Sequence, residues 1–276
     1  MESIHIVEDA LPMAWERAVL ACWQSGAAFR TEYDKPDDPP SRDVACLVHV
    51  RRPFDEPRIH RAFPGGLDDL EKYRAEMLYG VHDHWIDPAA GKWEYTYHER
   101  LSAYETAAGP VDQIAAAVAK LAAAGHTRRA QAITWQPDRD PTSADPPCLQ
   151  RLWFRMADGR LDMTAHMRSN DAFKAAFMNM YAFTELQAEV AGRLGAAPGA
   201  YLHICDSFHI YGSYFAAFEG FLKTVAQRSE ADRVYDTAFA RPFFVDGCDA
   251  LLAEDDLPAA PRAHVKRRRA ALAHAT

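Results

Sequence analysis

The stretch PPCLQRLWFRMADGRLDMTAHMRSND, residues 146–171, contains two runs in which apolar and polar residues alternate. The runs cover 149–156 and 160–169, and the Asp158-Gly159 pair between them predicts a β-hairpin. The two prolines at the start fix φ and remove backbone donors, so the residue that follows them, Cys148, should stand at a rigid strand entrance. The sequence therefore predicts a sheet with a cysteine held at its mouth.

The flanking segments predict the remaining elements of one α+β domain. Helical spacing of apolar residues predicts helices, and runs rich in β-branched and aromatic residues predict strands. The predicted helices are 11–26, 67–80, 111–125 and 173–195, and the predicted strands outside the hairpin are 44–50, 130–135 and 201–212. The helix at 173–195 is apolar nearly all round over its first half, which indicates a buried central helix. Residues 81–101 have the aromatic and acidic composition of a pocket wall, whereas roughly the last 50 residues are loosely patterned.

Composition excludes several classes of protein. The 276 residues are 49% hydrophobic and 25% charged, which is enough for a sizeable core, and the net charge of −8 gives no electrostatic footprint for nucleic acid. The chain shows neither a long apolar run nor a signal-peptide pattern, so we expect a cytoplasmic protein. Five cysteines without CxxC spacing argue against a disulfide framework or a structural zinc site. The basic cluster Lys266–Arg269 is interpreted as a solvated helix end.

Cys148 has two possible roles on physical grounds, a packed core residue or a nucleophile. A reactive thiolate needs a positive field, which arginine supplies best. The chain offers Arg128 and Arg129 after one predicted helix, and Arg168 beside Ser169 at the end of the hairpin. Guanidinium groups together with a hydroxyl also suit a phosphate dianion, although surface arginines in turns remain an alternative.

Three further polar residues stand where apolar ones are expected. Asn179 lies inside the apolar helix, where a buried amide must find partners or cost roughly 1–3 kcal/mol. His209 and Tyr211 alternate on one face of a predicted strand. In one assignment, the amide forms hydrogen bonds with the edge of a heterocycle and the His/Tyr pair contacts sugar hydroxyls. In the other, the amide forms helix-to-helix hydrogen bonds and the His/Tyr pair consists of ordinary half-buried aromatic residues.

Taken in order, these residues resemble thymidylate synthase and its nucleotide hydroxymethylase relatives. The motifs that carry the resemblance are VDQI, TRR with a tryptophan six residues later, PPC, RS-D with an asparagine eight residues later, and HIY. They run from about Val111 to Tyr214, whereas the N-terminal third matches loosely and the chain after about residue 225 hardly at all.

The resemblance implies a single catalytic domain over 1–276, with core motifs in 111–225, a loosely matched part at 1–110 and a divergent tail at 226–276. It implies a large mixed sheet packed against helices, with one sheet face forming a homodimer interface. The implied reaction transfers a one-carbon unit from 5,10-methylenetetrahydrofolate to C5 of a pyrimidine nucleoside monophosphate, without a metal. Cys148 would add to C6 of the base.

The resemblance also assigns roles at matching positions. Arg168 and Ser169 would hold the phosphate with Arg128 and Arg129 of the partner subunit, and Arg42 is a further substrate-binding candidate. Asn179 would read the base, His209 and Tyr211 the ribose, and Asp171 would lie beside the pterin and the base. Glu76 is the candidate for the proton relay, with Glu71 as its competitor. His82 and Trp85 would contact the folate.

Departures from the family pattern favour a hydroxymethyl product. Leu149 follows the nucleophile where most synthases have histidine, and His82 replaces the first tryptophan of a W-x-x-W pattern that keeps Trp85. A bulky indole excludes water from the C5 methylene, whereas an imidazole can admit and orient it. The chain also ends in RRRAALAHAT instead of a short apolar terminus. The replacement by His82 and the changed chain end both favour hydration over reduction.

Several alternatives stay open. The protein could be a thymidylate synthase that makes a methyl product, or a nucleotide-binding homologue without catalysis; a metal enzyme using His82, Asp83 and His84 is the weakest alternative. An asparagine amide can read uracil or cytosine. Because the family's deoxycytidylate enzymes carry aspartate there, Asn179 favours uracil, so CMP, dCMP and dUMP all remain candidates. Small Ala175 and Ala176 could reshape the sugar pocket.

Overall fold

The computed structural model describes residues 2–274. The strands are β1 Ser3–Glu8, β2 Ala27–Phe29, β3 Ser41–Val50, β4 Ile59–His60, β5 Gln131–Ile133, β6 Leu149–Ala157, β7 Arg160–Met167, β8 Asn170–Asp171, β9 Ala197–Ile210 and β10 Val234–Tyr235. The helices are α1 Leu11–Ser25, α2 Leu67–Tyr79, α3 Tyr97–Ser102, α4 Gln113–Ala123, α5 Ala176–Arg193, α6 Phe215–Gln227, α7 Thr237–Leu252 and α8 Ala259–His274.

One mixed sheet organises the chain. Its strand order is β1-β3-β9-β7-β6-β5, with β2 beside β3 and β8 beside β9. The strand β9 runs parallel to β7 and antiparallel to β3, so the α+β class with a mixed sheet is confirmed. The predicted hairpin is β6–β7, and its turn has positive φ at Asp158 (50°) and Gly159 (74°), as a two-residue hairpin turn requires.

Helices α1 and α5 cover one face of the sheet. Alternate residues of β9, including Tyr201, His203 and Cys205, are almost completely buried. The predicted central helix is confirmed as α5, which is buried along most of its length because its apolar residues surround the helix axis. Residues that alternate with the buried ones, such as Leu47, Trp153 and Ile204, are only half-buried.

Within the last 50 residues lie α7 and α8, which the loose pattern there did not predict, and α6 immediately precedes them. In the basic cluster, Arg268 donates from Nε and Nη2 to both carboxylate oxygens of the buried Glu71, at 3.1 Å each. The interpretation of this cluster as a solvated helix end is therefore wrong for Arg268. Across residues 2–274, no helix has the length and apolar character needed to span a membrane.

Candidate active site

A cavity of about 650 Å³ opens where β6 begins and where β8 and β9 end, between α2 and α5. It brings together seven of the residues predicted from the sequence: Glu76, Cys148, Ser169, Asp171, Asn179, His209 and Tyr211. They come from segments that are far apart in the chain, and the sheet places them side by side.

Cys148 is half-buried and stands immediately before β6. The guanidinium of Arg168 donates to the carbonyl oxygens of Pro146 at 2.6 Å and Pro147 at 3.1 Å. The backbone N–H of Leu149 donates to the hydroxyl of Tyr97 at 3.2 Å. These bonds fix the backbone on both sides of the cysteine, so its sulfur has a defined position in the cavity.

Within one chain, Arg168 is the predicted arginine whose charge acts on Cys148. Burial raises the pKa of the thiol, Arg168 opposes this effect, and Asp145 adds to it. Arg128 and Arg129 are exposed and do not line the cavity. Within one chain the thiol is therefore less acidic than usual, because desolvation outweighs the single nearby guanidinium.

The predicted substrate-binding arginines Arg42, Arg128 and Arg129 lie outside the cavity lining. The backbone carbonyl of Arg128 accepts a hydrogen bond from Trp153 Nε1 at 3.0 Å, beside the edge of the sheet. Arg42 on β3 donates to Gly26 O at 3.3 Å and stands over the ring of Trp23, 5.7 Å from its centroid. In contrast, Ser169 lines the cavity directly.

Asn179 has the partners that a buried amide needs. Its Oδ1 accepts a hydrogen bond from the hydroxyl of Tyr73 at 2.6 Å, and its Nδ2 donates to Asn170 Oδ1 at 3.1 Å. An amide can accept two hydrogen bonds and donate two. One N–H and one lone pair therefore remain available at the cavity.

His209 has an incompletely satisfied ring. Its Nδ1 donates to Ser207 O at 3.1 Å, and its buried Nε2 has no hydrogen-bond partner within residues 2–274. A buried polar atom without a partner costs about 1–3 kcal/mol, so a ligand that donates there is strongly favoured. The ring centroid of Tyr211 lies 4.5 Å away, which adds a second hydroxyl-bearing group on the same side.

Asp171 lies next to His209 in the register of β8 and β9. Its Oδ1 accepts hydrogen bonds from the backbone N–H groups of Phe173 at 3.0 Å and Lys174 at 2.9 Å. Burial raises the pKa of its carboxyl, and the Lys174 amide works in the opposite direction. The aspartate is thus fixed in the cavity wall by its own chain.

Glu76 and His82 form a hydrogen-bonded pair, with 2.7 Å between Glu76 Oε2 and His82 Nδ1. The imidazole stacks on Trp85 with 4.1 Å between ring centroids, and Trp93 lies edge-on to it at 5.5 Å. Glu76 and Trp93 line the cavity, whereas His82 and Trp85 form the layer behind them. The competitor Glu71 lies outside the cavity and is paired with Arg74 and Arg268.

The three residues considered as metal ligands, His82, Asp83 and His84, each contact a different side chain. His82 contacts Glu76, Asp83 accepts from the ring of His98 at 2.6 Å, and His84 lies 3.2 Å from Asp256. Within residues 2–274, the structure contains no group of three or more His, Cys, Asp and Glu side chains arranged to hold a metal ion.

The pocket wall predicted at 81–101 supplies part of the aromatic lining around the thiol, but sequence reasoning did not single out its individual residues, nor Tyr73 and Asn170. Tyr73, Trp93, Tyr95 and Tyr97 line the cavity together with Asn170. Burial raises the pKa of Tyr95 and of Tyr97, so both hydroxyls stay protonated near Cys148. Two signals were available: the run WEYTY at 93–97, and the spacing of three residues from Tyr73 to Glu76, which puts both on one helix face.

A thymidylate synthase family model matches residues 68–234, a span that contains Glu76, Cys148, Asp171, Asn179 and His209. The chain belongs to the thymidylate synthase family. Membership identifies the protein as a one-carbon transferase of nucleotide biosynthesis, with methylenetetrahydrofolate as donor and a pyrimidine as acceptor. Residues 2–67, α7 and α8 lie outside the matched span.

Relatives named "Putative thymidylate synthase" cover most of the chain. A protein of Methanosarcina acetivorans is 28% identical over 77% of this chain and 91% of its own length. One from Methanocaldococcus jannaschii is 34% identical over 75% of this chain and 90% of its own length. One from Methanopyrus kandleri is 37% identical over 71% of this chain and 88% of its own length.

Proposed function

We propose that the protein is a nucleotide 5-hydroxymethyltransferase acting through a covalent Cys148 adduct as one catalytic domain. It would transfer a one-carbon unit to C5 of a pyrimidine nucleoside 5′-monophosphate and then add water. The observation that carries this proposal is the Glu76–His82 pair, 2.7 Å between Oε2 and Nδ1, at the cavity wall. A carboxylate hydrogen-bonded to an imidazole can hold water and take its proton, which an indole cannot do.

The cavity residues match the parts of such a substrate. A ribose hydroxyl would donate to His209 Nε2, whose lone pair has no partner within the described chain, and Tyr211 would contact the same sugar. Asn179 would use its free N–H and lone pair on the edge of the base. Ser169 and Arg168 would bind the phosphate, and Trp93 and Asp171 would bind the folate, with Trp85 behind them.

In the covalent step the thiolate of Cys148 adds to C6, and the electron pair of C5=C6 moves onto C5. C5 then attacks the one-carbon unit that the folate supplies. Loss of the C5 proton and departure of the folate nitrogen leave an exocyclic methylene on the base. The hydrogen bonds of Arg168 and Tyr97 to the backbone on either side of Cys148 support this role.

In the hydration step a water oxygen bonds to the exocyclic methylene carbon. The π pair moves to form C5=C6, the C6–S bond breaks, and Cys148 leaves as a thiolate. The proton from the water goes to Glu76, which shares it with His82 Nδ1. The hydration step consumes no reductant. It therefore differs from formation of a methyl group, in which the folate supplies a hydride.

The positive charge missing around Cys148 supports a homodimer. Arg128 and Arg129 are exposed beside the sheet edge, and the half-buried sheet face that carries Trp153 and Leu47 offers a surface for a second copy. Arg128 and Arg129 of the partner subunit would then reach the phosphate. Arg42, beside the end of β9, would support the same end of the nucleotide.

The second candidate is a thymidylate synthase, which the names of the relatives favour. A product assay separates the two: the protein is incubated with methylenetetrahydrofolate and each of dUMP, dCMP, UMP and CMP. We expect a hydroxymethylated nucleotide by mass and no dihydrofolate absorbance. A methylated product with stoichiometric dihydrofolate would replace our proposal with the synthase. Nucleotide binding without loss of tritium from C5, unaffected by Cys148→Ala, would indicate a non-catalytic homologue.

A further inference from the structure

A second carboxylate faces the imidazole of His82. Glu254 Oε1 lies 3.9 Å from His82 Nε2, whereas Glu76 Oε2 lies 2.7 Å from Nδ1 of the same ring. The distance to Glu254 is that of an ion pair and is longer than a hydrogen bond. The other carboxylate oxygen of Glu254, Oε2, is buried and has no hydrogen-bond partner within residues 2–274. The imidazole therefore stands between two carboxylates, one at each ring nitrogen.

Glu254 belongs to the loop of residues 253–258 that joins α7 to α8, which we call the acidic loop. Arg262, in the first turn of α8, holds the backbone of this loop. Its guanidinium donates to the carbonyl oxygens of Leu252 at 2.7 Å and Leu257 at 3.3 Å, and also to that of Glu254 itself. Three hydrogen bonds from one planar group fix the path of the loop, so the carboxylate of Glu254 starts from a defined backbone position.

The acidic loop also contacts the neighbours of His82. Asp256 accepts a hydrogen bond from Trp85 Nε1 at 3.3 Å and lies 3.2 Å from His84 Nε2. Trp85 is the ring that stacks on His82. The loop thus contacts three consecutive aromatic positions of the wall behind the cavity, although it lies outside residues 68–234, the span that the family model matches.

Hydration of the exocyclic methylene adds one proton to the Glu76–His82 pair. An imidazole that takes up this proton carries an N–H on both nitrogens, whichever nitrogen was protonated before. One N–H then points to Glu76, and the other points to Glu254. An opposite charge within about 4–6 Å favours the charged form of a group, so the second carboxylate stabilises the imidazolium as it forms.

We propose that Glu254 is a positioning residue for the hydration step, in which its carboxylate orients His82 and stabilises the imidazolium that receives the water proton. This inference rests on the proposed function, because it requires the proton that hydration releases. Glu254 does not line the cavity and acts on the reaction through His82. The arrangement has the logic of a catalytic triad, in which a carboxylate orients a histidine and stabilises its charged form without becoming protonated itself.

Glu254→Gln tests the inference, because glutamine keeps the size of the side chain and removes its charge. The Glu254 side chain is 27% exposed, and a unit charge 3.9 Å from such a partner changes the stability of the charged form by roughly a factor of ten. We expect formation of hydroxymethyl nucleotide to fall about tenfold relative to release of tritium from C5, which corresponds to about 1.4 kcal/mol. Asp255→Asn is the matched control, because it removes the same charge from an exposed position of the acidic loop and should leave the ratio unchanged.

A double-mutant cycle with His82→Phe distinguishes this role from a structural one. If Glu254 acts through His82, Glu254→Gln should have no further effect on the ratio of product to released tritium in the His82→Phe background. A purely structural contribution would instead lower tritium release and product together, and it would persist when His82 is absent. The ratio is measured per turnover of folded enzyme, so a smaller folded fraction does not change it.

Three results would overturn the inference and leave the proposed function standing. They are an unchanged ratio in Glu254→Gln, an equal change in Glu254→Gln and Asp255→Asn, and a tenfold effect of Glu254→Gln that remains in the His82→Phe background. If the unaltered protein forms no hydroxymethyl nucleotide from any of CMP, UMP, dCMP and dUMP, the proposed function fails and the inference fails with it.

Discussion

Replacing His82 by phenylalanine should separate hydration from the earlier steps of the reaction. The ring stacked on Trp85 is kept, but the contact of 2.7 Å with Glu76 is lost. A hydrogen bond to a charged group contributes about 1.5–3 kcal/mol. If this hydrogen bond stabilises the transition state in which the water proton is transferred, the rate of hydroxymethyl nucleotide formation should fall roughly ten- to hundredfold. Loss of the C5 proton precedes hydration and should fall much less.

The assay follows both events in one reaction. Nucleotide labelled with tritium at C5 releases label when the C5 proton leaves, and mass spectrometry counts the hydroxymethyl product. His82→Phe should raise the ratio of released tritium to product, whereas a loss of folded protein lowers both signals equally. His84→Phe is the matched control, because His84 contacts Asp256 and not Glu76. Equal loss of tritium release and product in His82→Phe would refute the assignment of His82 to hydration.

Three further predictions concern the nucleophile, the subunit interface and acid stability. Cys148→Ala should abolish tritium release from C5 while nucleotide binding persists; release above background would exclude the covalent adduct. Mixing Cys148→Ala with Arg128→Ala/Arg129→Ala protein should restore part of the activity that neither has alone, and no recovery would argue against shared sites. Burial raises the pKa of Glu185, but Arg58, 2.6 Å away, and a second arginine lower it to about 2. Since the folded pKa lies below the unfolded value, this ion pair contributes on the order of 3 kcal/mol above pH ~4 and loses it as the pH falls toward 2. Urea unfolding across that range should show a steeper decline for the unaltered protein than for Glu185→Gln.

Local sequence patterns predicted the elements that carry Cys148, the proposed nucleophile, and Asn179, the amide proposed to read the base. The Asp158-Gly159 turn needs positive φ, and the alternation of the flanking runs needs one buried face, so the hairpin could be identified without its neighbours. The first half of α5 could be predicted for a similar reason, because only a buried helix is apolar all round.

The C-terminal helices could not be predicted in the same way. Helix α8 is rich in arginine, and in isolation that composition indicates a solvated surface. Its stabilising contacts are ionic and long-range: Arg268 bonds to Glu71, which is 197 positions earlier in the chain and almost completely buried. Hydrophobic periodicity contains no information about such a pair. The hydrogen bonds that join Asn170 to Asn179 and to His203 were missed for the same reason, because these residues meet only where β8, β9 and α5 pack together.

The charge balance at Cys148 connects the fold to the proposed dimer. Desolvation raises the pKa of the thiol, and two of the donors of Arg168 are already used by the carbonyls of Pro146 and Pro147. Arg168 therefore shapes the strand entrance more than it neutralises a thiolate and a phosphate dianion together. A dianion that entered this cavity in a single chain would raise the pKa of the thiol further, because like charges disfavour each other. The reaction needs additional cations at the moment the nucleotide binds, and exposed arginines of a second copy would supply them only in the dimer.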